Sequence, residues 1–347
     1  MLEEIKNRIE QELRDYIDDL DDAYSLSNIS PLIYRNIKDF VLRKGKRVRP
    51  ILFILSYLGF TKRRAAGLYR SAVSLELLHD FMLVHDDIID KSDTRRGKPS
   101  MHAMLQMYLK GKRNVKFDGK DLAIVIGDVM YAFSIHSFLS IKENMLRKEA
   151  ALKKLIEAAI YTGSGEFLEL ISGIKDIDKI TRQQIYKIYD FKTAAYTFAS
   201  PLAIGAILAG AKDNQVENLF QYGIYLGRAF QIKDDIIGIF GEESEIGKPN
   251  LADIREAKKT ILIWYAYHHV QKRDRLRIKK IFSQSSAAGK SDLLQIRRIV
   301  KDSGALEYAK EEIQACLRKA LKINSHSRML SVYKELLESY SNELLKL

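Results

Sequence analysis

A single cysteine, Cys316, leaves the chain without an internal disulfide and without the cysteine cluster of a structural zinc site, and points to a reducing compartment. Proline is nearly as scarce. Five prolines in 347 residues, set against abundant Leu, Ile, Ala, Lys, Glu and Arg, favour long helices over strands. No apolar run is long enough to span a bilayer; the stretch 122–133 is both short and interrupted. The opening MLEEIKNRIEQELRDY is amphipathic and acidic and lacks the apolar centre of a signal peptide, so a cytoplasmic protein without a transmembrane segment is expected. No recognisable nucleic-acid module accompanies the basic stretches 110–120 and 272–280, which argues against a nucleic-acid partner. Positive charge, by contrast, is plentiful: 57 Lys and Arg against 45 Asp and Glu give a formal +12. Either the surface is basic and solvated, or the protein handles anions.

Apolar positions at Leu2, Ile5, Ile9, Leu13, Ile17 and Leu20 predict an amphipathic first helix. Further helices are expected near 32–43, from Pro50 to about Gly59, over 62–90, 100–110, 121–142, 147–172, 181–190, 192–210 and 213–238, and through most of 251–347. Residues 91–99 and the basic insert 111–120 read as loops, and 283–292 as a low-complexity linker. No β-hairpin and no fixed-period repeat stand out. The pattern is all-α, one domain over 1–347.

The stretch FMLVHDDIIDKSDTRRGKP (81–99) places acids on an apolar helix. Asp86 and Asp90, four apart, share a face, while Asp87 lies about 100° round. A divalent cation would relieve their repulsion, and magnesium takes one or two carboxylates with phosphate oxygens. The alternative is a hydrated helix end, which the helix dipole disfavours for aspartate. About 150 residues on, FQIKDDIIG repeats the form with Asp234 and Asp235. Two such ends facing one another would make one acidic pocket for several magnesium ions around a diphosphate. Basic residues accompany them: Lys46, Arg47 and Arg49 in GKRVRP, the pair Arg95-Arg96, Lys192 in FKTAAY and Lys248 in a GKP loop. Each alone is ordinary surface; clustered beside glycines, they suit phosphate.

The ordered series GKRVRP, LLHDFMLVHDDIIDKSDTRRGKP, IVIGDVM, GEFLEL, FKTAAY and FQIKDDIIGIFGEESEIGKPNLADIREAKKT resembles the trans-type isoprenyl diphosphate synthases, over roughly residues 40–262. The resemblance implies an all-α bundle of long helices around a deep cavity, normally a homodimer. It implies that Asp86 and Asp90, with Asp87, hold two magnesium ions and Asp234 a third, with Asp235 in support. Arg95, Lys192, Lys248 and Lys258 would bind the allylic diphosphate; Lys46, Arg49, His79 and Arg96 would bind isopentenyl diphosphate. Thr193 and Gln231 would lie near the carbocation, alongside Lys192. Two departures stand out: Gly238 replaces a third aspartate, and Glu166 stands where glutamine is frequent.

In this family bulk just before the first aspartate motif limits the product. A lone aromatic at Phe81 resembles enzymes that stop at twenty carbons, the geranylgeranyl product. On a helical wheel, however, Met82 lies about 40° from Asp86 and Phe81 about 140°, so geometry alone names Met82. Farnesyl and longer-chain products remain alternatives. A class I terpene cyclase would carry a different second motif and no use for GKRVRP; an inactive synthase subunit would have lost aspartates or arginines that this chain retains.

Overall fold

The computed structural model describes residues 1–241 and 251–346. Nearly everything in it is helical, and the chain divides into two compact units: residues 1–155 with 204–211, and residues 156–203 with 212–347.

The first unit opens with helix α1 (Leu2–Tyr24), whose Ile5, Ile9, Leu13, Ile17 and Leu20 are buried on one stripe, as their spacing predicts. Its opposite, acidic face is not simply solvated. Asp18 pairs with Lys38, Glu12 and Asp19 with Arg70, and Glu10 with Arg47. Helix α2 (Pro31–Val41) begins with proline in its first turn, where the missing N–H costs nothing. Helix α3 (Val48–Phe60) is buried almost all round. Helix α4 (Leu68–Ile89) starts later than the apolar pattern predicts. Residues 62–66 stay out of it, because Gly67 turns the chain with φ 78° and lies so close to Ser140 that a Cβ would meet its carbonyl oxygen at 2.2 Å.

The expected loop 91–99 contains a small hairpin, contrary to the expectation of none. Strands β1 (Thr94–Arg95) and β2 (Lys98–Pro99) pair antiparallel across Arg96 and Gly97. Both turn residues have positive φ, 54° and 72°, the primed turn that suits a two-residue loop. Helices α5 (Met101–Leu109) and α6 (Gly119–Phe138) follow, the latter closed by a capping box between Asp118 and Asp121. Ala123, Ile126, Met130 and Phe133 of α6 join Val73, Leu77 and Val84 of α4 in one core. By length and composition α6 could cross a membrane, as could the run 182–209; the first contributes to this core and the second is mostly buried inside the protein.

Helix α7 (Met145–Gly173) leads into the second unit. There α8 (Arg182–Tyr189) continues without the break expected near Phe191. The chain instead widens into a ten-residue π-helix, Asp190–Ala199, before α9 (Ser200–Ala209). So long a π segment is rare, and such segments gather at functional sites. It is hemmed in by glycines. A Cβ on Gly165 of α7 would strike the Lys192 backbone nitrogen at 2.5 Å, and one on Gly227 the Ala194 Cα at 2.3 Å. Gly227 belongs to α10 (Asp213–Phe240), which packs against both the π segment and α13 (Ala305–Ser325). Between α10 and α13 come α11 (Ile261–His269) and α12, residues 272–283, then Lys290–Asp302; Ser331–Leu345 closes the unit. The predicted linker 283–292 is itself partly helical.

Candidate active site

In the first unit, α4 and the hairpin carry the site. The last turn of α4 is intact, the Asp90 amide donating to the Asp86 carbonyl at 2.8 Å. Asp86 and Asp90 are half-buried one turn apart, whereas Asp87 turns inward and is fully buried. Its Oδ1 accepts from Arg95 Nε at 2.9 Å and from the same guanidinium's Nη2. The first acidic motif thus divides into an outward pair and an inward anchor for Arg95. Among the described residues no group of three or more His, Cys, Asp or Glu side chains is gathered to hold a metal. Two carboxylates fit magnesium when phosphate oxygens complete its shell, so the donor set suits a metal that arrives with substrate.

The GKRVRP run also divides. Lys46 is exposed and Arg49 half-buried, but Arg47 has no exposed side chain at all. It bonds Glu10 at 2.8 Å, Glu76 at 2.6 Å and the carbonyls of Val41 and Arg43. Arg47 is a core tie. The loop is drawn against the hairpin, since a Cβ at Gly45 would lie 3.7 Å from the Arg96 Cζ. Arg96 reaches the buried Asp80 at 3.2 Å and Glu76 at 3.5 Å. His79 is held well below the ordinary imidazole range by burial first and by Arg49, Arg96, Arg95 and Arg47 next, so it is neutral. Arg49, Arg96, Arg95 and Arg47 therefore gather about His79, while Lys46 stays exposed in its loop. Phe81 sets its ring edge-on to His85 at 4.9 Å and 5.1 Å from Tyr131 of α6; Met82 is half-buried beside it in sequence.

In the second unit, Asp234 and Asp235 divide in the same way. Asp234 is exposed, and Asp235 is buried. Asp235 accepts from Tyr189 and, at 2.9 Å, from Gln231 Nε2. Burial pushes its carboxyl well up; those two hydrogen bonds oppose the shift. Gln231 in turn accepts from Thr193 at 2.5 Å, so the π segment and the acidic end of α10 share one hydrogen-bond chain. Lys192, also on the π segment, lies between Glu169 and Glu166, the latter at 2.5 Å. That gives Glu166, unassigned from sequence, a clear contact. Lys258 sits 2.6 Å from Glu256 and 3.5 Å from Asp253. Glu169, Tyr189, Asp235 and Lys258 line one small pocket. Lys248 lies outside the described residues.

Sequence reasoning missed Asp80, Glu76, Tyr189 and Glu169. Each is an acid or tyrosine inside an otherwise ordinary helix, and only Asp80, an acid among Leu77, Leu78, Phe81 and Met82, carried a visible signal.

Comparison with known proteins bears on this arrangement. A family model described as polyprenyl synthetase matches residues 30–300. A short chain isoprenyl diphosphate synthase of Methanocaldococcus jannaschii is 30% identical over 308 residues, 88% of this chain and 84% of that one. A geranylgeranyl diphosphate synthase of Sulfolobus acidocaldarius is 33% identical over 301 residues, 86% and 85% respectively. In fold, the chain matches a geranylgeranyl pyrophosphate synthase of Corynebacterium glutamicum, crystallised with isoprenyl diphosphate and magnesium, with a TM-score of 0.90 at 24% identity over 100% of this chain and 99% of that one. The chain belongs to the polyprenyl synthetase family, the trans-type isoprenyl diphosphate synthases, and has their all-α fold.

Proposed function

We propose that this chain is a chain-elongating prenyltransferase that joins isopentenyl diphosphate to an allylic diphosphate and releases pyrophosphate, with geranylgeranyl diphosphate as the product. The observation that carries the reading is the end of α4. There an outward pair of carboxylates, Asp86 and Asp90, adjoins a hairpin whose two arginines are held by buried acids. A terpene cyclase would not need the second of those arginines or the basic loop drawn against it.

Asp86 and Asp90 would hold magnesium in the first unit and Asp234 in the second, three ions in all, with Asp87 and Asp235 anchoring the neighbouring side chains. Magnesium, when bound, supplies charge stabilisation for the departing pyrophosphate. Arg95 would compensate diphosphate charge without donating protons, and the resemblance gives Lys192, Lys248 and Lys258 the same role. The allylic C–O bond breaks, the isopentenyl double bond supplies the electrons of the new C–C bond, and the proton lost in closing the product goes to the released pyrophosphate. Thr193 and Gln231 present oxygens toward the cation. Phe81 and Met82 would belong to the apolar wall that excludes water and limits chain growth. Lys46, Arg49, His79 and Arg96 hold isopentenyl diphosphate, a neutral His79 leaving the arginines to carry the charge.

We also propose one functional domain working as a homodimer in the cytoplasm. In the second unit Ile156, Ile160, Phe167, Leu170, Ile171 and Ile174 form an exposed apolar stripe on and just beyond α7, which suits a second copy. The test is incubation with magnesium, isopentenyl diphosphate and dimethylallyl, geranyl or farnesyl diphosphate, following pyrophosphate release and product mass. Twenty-carbon product is expected; absence of any elongation would overturn the reading.

A further inference from the structure

Asp80 lies one turn after Glu76 on α4 and is completely buried. Neither of its carboxylate oxygens accepts a hydrogen bond from any described residue, although Arg96 Nη2 stands 3.2 Å from Oδ1. Glu76 is already engaged by Arg47 and keeps Arg96 at 3.5 Å. Arg96 is therefore drawn toward two acids on one side, and its other terminal nitrogen, Nη1, is buried without an acceptor. The backbone beneath it is left-handed at φ 54°, an uncommon state for a residue with a side chain. Buried polar atoms are normally bonded, and a loose contact with an idle donor beside it is the form of a site awaiting an anion.

The charges around Asp80 favour such an exchange. Arg47, Arg49 and Arg96 stand near it with Glu76, while His79 is neutral and Glu10 faces the far side of Arg47. A diphosphate drawn to Arg96 adds negative charge and takes the guanidinium's attention, leaving a buried carboxylate without its nearest counter-charge. Such a group neutralises. Burial first, and Glu76 next among the groups that raise it, already lift the Asp80 carboxyl to about 7 against the opposing arginines.

We propose that Asp80 is a positioning residue that holds Arg96 toward the isopentenyl diphosphate site, yields the guanidinium to the incoming diphosphate, and takes up one proton from solvent as it does so. This rests on the reading of Arg96 as part of the isopentenyl diphosphate set. Binding then consumes a proton whenever Asp80 is ionised in the empty site, so KM for isopentenyl diphosphate rises with pH above neutrality, by at most tenfold per pH unit for one proton. KM for the allylic substrate does not share that slope.

The experiment compares wild type with Asp80→Asn, which keeps an oxygen for Arg96 and cannot titrate. Both are assayed from pH 6 to 9, and both are titrated with isopentenyl diphosphate, without magnesium, by calorimetry in buffers of different ionisation enthalpy. The expected result is proton uptake by wild type at pH 8 and none by Asp80→Asn beyond the ligand's own ionisation, with the KM slope flattened in the variant alone. Arg96→Gln removes the group that changes partners and should abolish the uptake too, which serves if the first variant folds poorly. Equal proton uptake in wild type and Asp80→Asn, or a slope equal for both substrates, overturns the proposal. A wild type that binds isopentenyl diphosphate but does not elongate defeats the enzymatic reading while calorimetry still judges Asp80; no binding at all defeats both.

Discussion

At the scale of residues, Arg47 separates structural from functional charge most sharply. A guanidinium with no solvent contact, bonded to Glu10, Glu76 and two carbonyls, cannot be removed without leaving the buried Glu76 only the looser Arg96 contact at 3.5 Å. Arg47→Met is expected to lose about 3–5 kcal/mol, the cost of breaking a buried pair on one side, measured by urea denaturation at neutral pH. Arg49→Met, two residues on, should change stability far less and raise KM for isopentenyl diphosphate instead. A loss below about 1 kcal/mol for Arg47→Met would show that the core tie is not what the geometry implies. Nothing in GKRVRP distinguishes its three cations beforehand, because burial is decided by Glu10 and Glu76, which lie far away in the chain. Phe81 carries a second residue-scale prediction. With its ring fixed between His85 and Tyr131, Phe81→Ala should open space and lengthen the product beyond twenty carbons, read by mass spectrometry, whereas Met82→Ala should not. The reverse pattern would restore Met82 as the floor.

At the scale of elements, the π segment and the end of α10 act through Tyr189. Its hydroxyl donates to Asp235 and accepts from the Ile261 amide, the first N–H of α11. Tyr189→Phe removes both bonds at once and leaves a buried carboxylate with only Gln231. A stability loss of about 1–3 kcal/mol is expected by thermal or urea unfolding, along with slower turnover, since Gln231 also holds Thr193. Unchanged turnover would disconnect this chain of bonds from the chemistry. The same elements show what was legible. The two DDII ends could be read because paired acids interrupt an apolar run, and the amphipathic stripe of α1 because its spacing is regular. The π-helix could not be, as FKTAAY has the composition of an ordinary α-helix and only close approach by Gly165 and Gly227 marks its path. The hairpin at 94–99 escaped as well, two-residue strands being too short for any alternation. Within each acidic motif, the inward turn of Asp87 and Asp235 depends on partners, Arg95 and Tyr189, that spacing alone does not identify.

At the scale of the whole molecule, the formal charge of +12 gains meaning from where the acids are spent. Acids of α1 are matched locally by Lys38, Arg47 and Arg70, and further acids hold Arg95, Arg96, Lys192 and Lys258 in place. A protein so arranged should respond weakly to a cation alone and strongly to a cation with a diphosphate. Asp86 and Asp90 are too few to complete a magnesium shell, and Arg95 beside them adds positive charge. Magnesium by itself is therefore expected to shift the unfolding temperature little, and pyrophosphate by itself only modestly. Together, at about one hundred times the dissociation constant, they should stabilise the folded protein by about 2.7 kcal/mol, reversed by a chelator. Differential scanning calorimetry with each addition alone and both combined tests this. Asp86→Asn paired with Asp90→Asn should remove most of the synergy while leaving the pyrophosphate contribution. Full stabilisation by magnesium alone would mean that the carboxylates form a complete metal site without the substrate, and the diphosphate would lose its part in completing the magnesium shell.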